Sequence, residues 1–135
     1  MLETSQPVHN VLYWSHCRCK AFDVTDIEIM RSSIRNNAAN GLTGFLYREA
    51  GFYVQLFEGP KSAVEHLHKT LLNDRRHYGF QLIFASQSNQ RLFVDWSMGY
   101  SNDAANQLGL ASQKIQPSDL PAENVVNFLQ NISVG

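Results

Sequence analysis

Among 135 residues there are only two cysteines, Cys17 and Cys19, and four prolines. Two thiols one residue apart cannot staple distant parts of a chain, so the fold does not rest on disulfides and a reducing, cytoplasmic setting is expected. No apolar run nears the roughly 20 residues of a membrane-crossing helix. The polar start from Met1 to Gln6 lacks the apolar core of a signal peptide. Neither sign of charge dominates, with 11 basic and 12 acidic residues and a net charge of −1. A broad basic surface for nucleic acid is therefore not expected, and neither is a membrane partner. There is no Gly-x-Gly-x-x-Gly, no P-loop and no Gly-x-Ser-x-Gly, so the common nucleotide and hydrolase signatures are missing. What is present, 44% apolar and 17% charged residues, fits one globular domain.

Metal chemistry is also poorly supported. His16, Cys17 and Cys19 lie close together, but a tetrahedral site wants four ligands and no second Cys/His pair stands at a familiar spacing. His66 and His68, two apart on a helix, point roughly 200° apart and suit a surface better than a shared ligand. No metal is expected.

The chain alternates between strand and helix patterns. Val11–Ser15 reads as a strand with Val11, Tyr13 and Ser15 on one face. Thr25, Asp26, Ile27 and Glu28 read as a capping box, and Ile27, Met30 and Ile34 as the buried stripe of the helix that follows. Leu42–Tyr47 and Phe52–Phe57 form a hairpin around Arg48–Gly51. Pro60 opens a second helix with Val64, Leu67 and Leu71 inward, ended by Asn73–His77. Phe80–Ser86 and Leu92–Met98 read as two further strands around the polar turn Gln87–Gln90. The order β-α-β-β-α-β-β predicts an α+β, ferredoxin-like sandwich: a mixed five-stranded sheet with two helices on one face. Residues 1–10 read as a tail, 11–100 as the core domain and 101–135 as an extension with short helices. The clearer of these starts near Pro121 and turns Val125, Phe128, Leu129 and Ile132 inward.

One residue resists a bland explanation. Gln55 sits inside the apolar strand Phe52–Phe57, flanked on its own face by Tyr53 and Phe57. A buried primary amide without partners costs about 1–3 kcal/mol. In this strand order the first and third strands usually lie side by side, which brings Tyr13 within reach of Gln55. Such a pair can be purely structural, so residue types alone leave its role open.

Five short segments, in order, decide between the readings: Val11–Tyr13; Arg35-Asn36-Asn37 with Gly41–Gly44; Val54–Pro60; Asp74–His77; and Phe93–Met98. Together they resemble the BLUF domain, a sensor of blue light using flavin. The resemblance implies non-covalent FAD between the two helices. It makes Gln55 the switching glutamine, Tyr13 its electron- and proton-donating partner, and Asn37 a donor to the flavin edge, with Asn36 and Ser33 beside it. Asp74, Arg76 and His77 correspond to positions near the ribityl-phosphate or adenine end, and Trp96 and Met98 to the fifth-strand pair that repacks with signalling state. Thr70 stands where several members carry a larger basic residue, with Lys69 next to it, and Trp14 is bulkier than the family's usual residue. A photoreceptor of this kind is not an enzyme; it signals through an effector protein and is expected to form a homo-oligomer. A light-insensitive assembly module, a small flavin-dependent reductase and an acylphosphatase-like hydrolase remain as alternatives.

Overall fold

The computed structural model describes residues 7–18, 24–93, 99–101 and 107–134. Its elements run β1 (Val8–Cys17), α1 (Val24–Asn40), β2 (Thr43–Glu49), β3 (Phe52–Gly59), α2 (Lys61–Leu72), β4 (His77–Ser88), β5 (Gly99–Ser101), α3 (Leu110–Gln113), a 3-10 turn (Pro117–Asp119) and α4 (Ala122–Val134). Strands β4-β1-β3-β2 form a four-stranded antiparallel sheet. The three residues of β5 extend it in parallel on the β2 edge. The predicted α+β sandwich and its element order are what the chain adopts.

Strand periodicity gives the sheet two buried faces. Val11, Tyr13, Leu42, Phe57 and Val64 cluster on one, with Leu67 and Leu71 of α2 packed against them. Leu46 and Tyr53 on this face meet Ile29 and Met30 of α1. The other face carries Leu12, Trp14, Phe45, Tyr47, Val54 and Leu56, covered by Leu110 of α3 and Val125 and Leu129 of α4. Thus α1 and α2 share one face and the C-terminal helices take the other. The apolar stripe foreseen for the last helix is the one it buries, Phe128 and Ile132 partly.

Several boundaries differ from expectation. β1 begins at Val8, inside the supposed tail. α1 already includes Val24, so Thr25 is a helical residue and not a cap. Ile27 and Ile34 are 49% and 44% exposed, while Asp26 and Asn37 of the same helix are buried. At about 100° per residue, Asp26, Met30, Ser33 and Asn37 share a face, and the isoleucines lie a quarter turn away. The helix turns its polar side inward because that side meets a buried arginine and a cleft, described below. Arg48 and Glu49 belong to β2, leaving Ala50 and Gly51 as the turn. α2 stops at Leu72, and His77 opens β4, which runs through Gln87 and Ser88. Leu92 and Phe93 are not in a strand. The remainder of the expected fifth strand, including Trp96 and Met98, lies outside the described residues, as does Cys19.

Candidate functional site

Antiparallel pairing of β1 with β3 sets Tyr13 directly opposite Gln55. Both side chains are buried, and the Tyr13 hydroxyl donates to Gln55 Oε1. That bond engages the amide's acceptor end, so Nε2 is the end Tyr13 does not hold. The Tyr13 ring stacks on Phe80, with centroids 4.5 Å apart, and meets Phe57 and His77 edge-on. Burial, with a smaller contribution from the Asp74 charge, pushes the phenol above its ordinary range, so Tyr13 stays protonated at any ordinary pH.

Above this pair α1 and α2 enclose a cleft. Ile29, Ser32, Ser33, Asn36 and Asn37 line it from α1, and Leu67, Thr70 and Leu71 from α2. Gln55, Asp74, Arg76 and His77 complete the lining. The volume here is about 60 Å³, and it abuts a second space of about 260 Å³ that shares Asn36, Asn37, Leu67 and Thr70. Together they reach the roughly 300 Å³ at which small-molecule sites begin. Asn37 is buried and Asn36 is exposed at the rim.

One end of the cleft is charged and closely hydrogen-bonded. Asp74 takes a fork from Arg76, with Nη2 to Oδ2 at 2.7 Å and Nε to Oδ1 at 3.0 Å, and also accepts the Arg76 backbone N–H at 2.9 Å. Burial raises the Asp74 carboxyl, but the Arg76 hydrogen bonds and charge outweigh it and hold the group below the usual carboxylate range. The remaining arm of the guanidinium, Nη1, donates to Ser32 Oγ at 3.1 Å. His77 Nε2 lies 2.8 Å from the Leu71 carbonyl, which can only accept, so this nitrogen carries the proton. Its Nδ1 then takes the Ser15 hydroxyl at 2.6 Å.

Of the residues singled out from the sequence, Ser33, Asn36, Asn37, Gln55, Asp74, Arg76 and His77 line one cleft. Tyr13 lies behind Gln55 and reaches the cleft through it. Trp96 and Met98 fall outside the described residues. Ser15, Ser32, Ile29 and Leu71 were missed. Ser15 had a signal, since it shares the Tyr13 face of its strand; Ser32 differs from Ser33 only by a helical turn angle that the sequence does not fix.

The donor set suits a flat ring with one polar edge. Two asparagine amides, one glutamine amide and serine hydroxyls supply hydrogen bonds, while Ile29, Leu67 and Leu71 supply apolar walls. A family model described as sensors of blue light using FAD matches residues 8–99. The chain belongs to the BLUF family. BlrB, a BLUF protein in its dark state, superimposes with a TM-score of 0.78 at 26% identity, covering 95% of this chain and 98% of that one. BlsA in its photo-activated state gives 0.80 at 24% identity over 95% and 96%, a likeness of fold. Photoactivated adenylate cyclase subunit beta of Euglena gracilis is 34% identical over 71 residues. That match spans 52% of this chain but 8% of the cyclase subunit. As a BLUF protein the chain is a blue-light sensor, and its cofactor is FAD. No described helix is long and apolar enough to cross a membrane.

Proposed function

We propose that Tyr13 and Gln55 are the photochemical switch of this BLUF protein, with the flavin ring in the α1–α2 cleft. Bound there, FAD supplies a chromophore for blue light that becomes a strong one-electron oxidant when excited. The observation that carries the reading is the buried Tyr13 hydroxyl donating to Gln55 Oε1 at the cleft floor. Tyr13 yields an electron and its phenolic proton; Gln55, with one donor end and one acceptor end, can exchange what it presents to each neighbour. When electron and proton return, the covalent structure is unchanged and the amide has been reset. Asn37 and Asn36 orient the ring's polar edge, with Ser33 beside them. Arg76, held by Asp74 and Ser32, supplies positive charge at the mouth for the phosphate-bearing end, with His77 below it. Trp96 and Met98 would carry the change onward from β5's side of the sheet.

The chain acts as a sensor, not an enzyme. Its output passes to a separate effector protein or through a homo-oligomer in the cytoplasm. In the Euglena gracilis relative the matched stretch belongs to a photoactivated adenylate cyclase subunit, which supports an effector of some kind without naming it. The test is absorption before and after blue light. The wild-type protein is expected to bind flavin and show a small reversible red shift. Gln55→Leu keeps the flavin and loses the shift; a normal photocycle in that variant would remove Gln55 from the mechanism. Bleaching by NADH without light would point instead to a reductase.

A further inference from the structure

A second tyrosine stands near the first. Tyr53 lies two positions before Gln55 on β3, on the same sheet face, about 7 Å along the strand. It is 2% exposed and faces Ser15 on β1 and Arg48 on β2. Its hydroxyl donates to Asp26 Oδ1, in the first turn of α1. The same oxygen takes Arg48 Nη1 at 2.9 Å. The Arg48 guanidinium carbon is 5.5 Å from the Tyr53 ring centroid, and its Nε donates to the Ala50 carbonyl at 3.2 Å. Asp26 and Arg48 are as buried as the phenol. Ile29, which packs against the Leu46–Tyr53 pair, is itself a wall of the cleft. Ile29 is thus shared by the cluster that holds Tyr53 and the space assigned to the ring.

A buried ion pair between α1 and β2 needs no phenol, and phenylalanine would fill the site as well. The phenol adds an O–H aimed at the carboxyl group of the Asp26–Arg48 pair. An oxidised phenol is strongly acidic, and Arg48 beside the ring disfavours positive charge on it. The electron therefore leaves together with the proton, for which the Asp26 carboxylate, paired with Arg48 and in hydrogen-bond contact with the phenol, is the base at hand.

We propose that Tyr53, with Asp26 as its proton acceptor, is a second electron donor to the photo-excited flavin, parallel to Tyr13. One electron passes from the Tyr53 phenol to the excited ring. The Tyr53 O–H bond breaks and an Asp26 O–H bond forms; in the dark both particles return. The ring is reduced by one electron and the tyrosine oxidised by one, and the flavin itself is the oxidant. No amide turns on this route. It drains excitation without a signal and competes with the Tyr13–Gln55 switch. The inference rests on the flavin occupying the α1–α2 cleft.

Flavin-loaded Tyr13→Phe and Tyr13→Phe/Tyr53→Phe proteins test it by fluorescence lifetime and by electron paramagnetic resonance of illuminated, frozen samples. Tyr13→Phe is expected to keep a short lifetime and a tyrosyl signal that changes with ring-deuterated tyrosine. The double variant should lose that signal and live several-fold longer. Asp26→Asn on the Tyr13→Phe background should match the double variant, since the phenol remains without its base. Equal lifetimes in Tyr13→Phe and the double variant overturn the inference, while a red shift in the wild type keeps the switch reading intact. A wild type that takes up no flavin overturns both. In flavin-free protein, urea midpoints of Tyr53→Phe, Asp26→Asn and their combination give a further readout. A combined loss smaller than the sum supports the bond, and strict additivity overturns it.

Discussion

Glu58 shows what one buried group does to the stability of this fold. It is fully buried, and its Oε2 accepts the Leu92 and Phe93 N–H groups at 2.7 Å each. Its Oε1 has no hydrogen-bond partner. Arg91 lies close but spends its guanidinium on Thr43 Oγ1 and the Gly41 and Glu58 carbonyls. Burial pushes the Glu58 carboxyl above its ordinary range, against the pull of the two N–H groups and of Arg91. The folded state therefore binds this proton more tightly than the unfolded state. Its contribution to stability is greatest below about pH 4.3, the ordinary glutamate value, and falls as pH rises toward the raised one. Asp74, shifted the other way, is fully ionised above about pH 5 and adds no slope there. Glu58→Gln keeps an acceptor for Leu92 and Phe93 and removes the titration. Urea unfolding between pH 5 and 8 should show a declining wild-type stability that is flatter in the variant. Parallel curves would assign the decline to another group.

At the scale of elements, the β2–β3 hairpin holds the closest backbone approach to any described glycine. A Cβ on Gly44 would lie 2.2 Å from the Leu56 carbonyl oxygen and 3.0 Å from Phe57 Cα, both backbone atoms of the paired strand. Gly44→Ala must pry apart the strand that carries Gln55, and is expected to cost about 2–3 kcal/mol in chemical denaturation. Gly51, in the turn of the same hairpin, has no atom within 4 Å of its would-be Cβ. Gly51→Ala should stay within about 0.5 kcal/mol, and equal losses in the two variants would refute the packing argument. The hairpin was legible in the sequence because strand periodicity is short and Gln55 interrupts an apolar run. Its pairing with Tyr13 followed from strand order alone. The face of α1 was not legible. Hydrophobic periodicity detects apolar burial, and this helix buries Asp26 and Asn37, whose partners and surroundings come from other elements. Leu92 and Phe93 look like strand residues in composition, yet their N–H groups go to a glutamate side chain 34 and 35 positions earlier. Contacts that distant leave no local pattern to read.

The whole molecule is a sheet with chemistry on one side and a helix on the other. Tyr13 and Gln55 face the cleft, while their chain neighbours Leu12, Trp14, Val54 and Leu56 pack in the cluster that includes Val125 and Leu129 of α4. A backbone shift at Tyr13 or Gln55 would carry into the strand residues that α4 leans on. Further ties fasten the C-terminal part to β2. Tyr47 donates to Glu49 at 2.6 Å and accepts the Leu108 N–H at 3.2 Å, its ring meets Phe128 edge-on at 4.8 Å, and Gly109 donates to Glu49 at 3.3 Å. Leu129 is the fully buried centre of this contact. Leu129→Ala removes its packing without touching the cleft, so it is expected to cost about 2–5 kcal/mol while leaving the flavin spectrum and its light-induced shift in place. Hydrogen exchange of α4 amides, compared between dark and illuminated protein, reads the coupling. Wild-type α4 should exchange differently in the two states, because sheet and helix move as one packed body. In the variant α4 should exchange fast in both. An α4 indifferent to light in the wild type would mean that the signal leaves the sheet by another edge, and that α4 is only a cover.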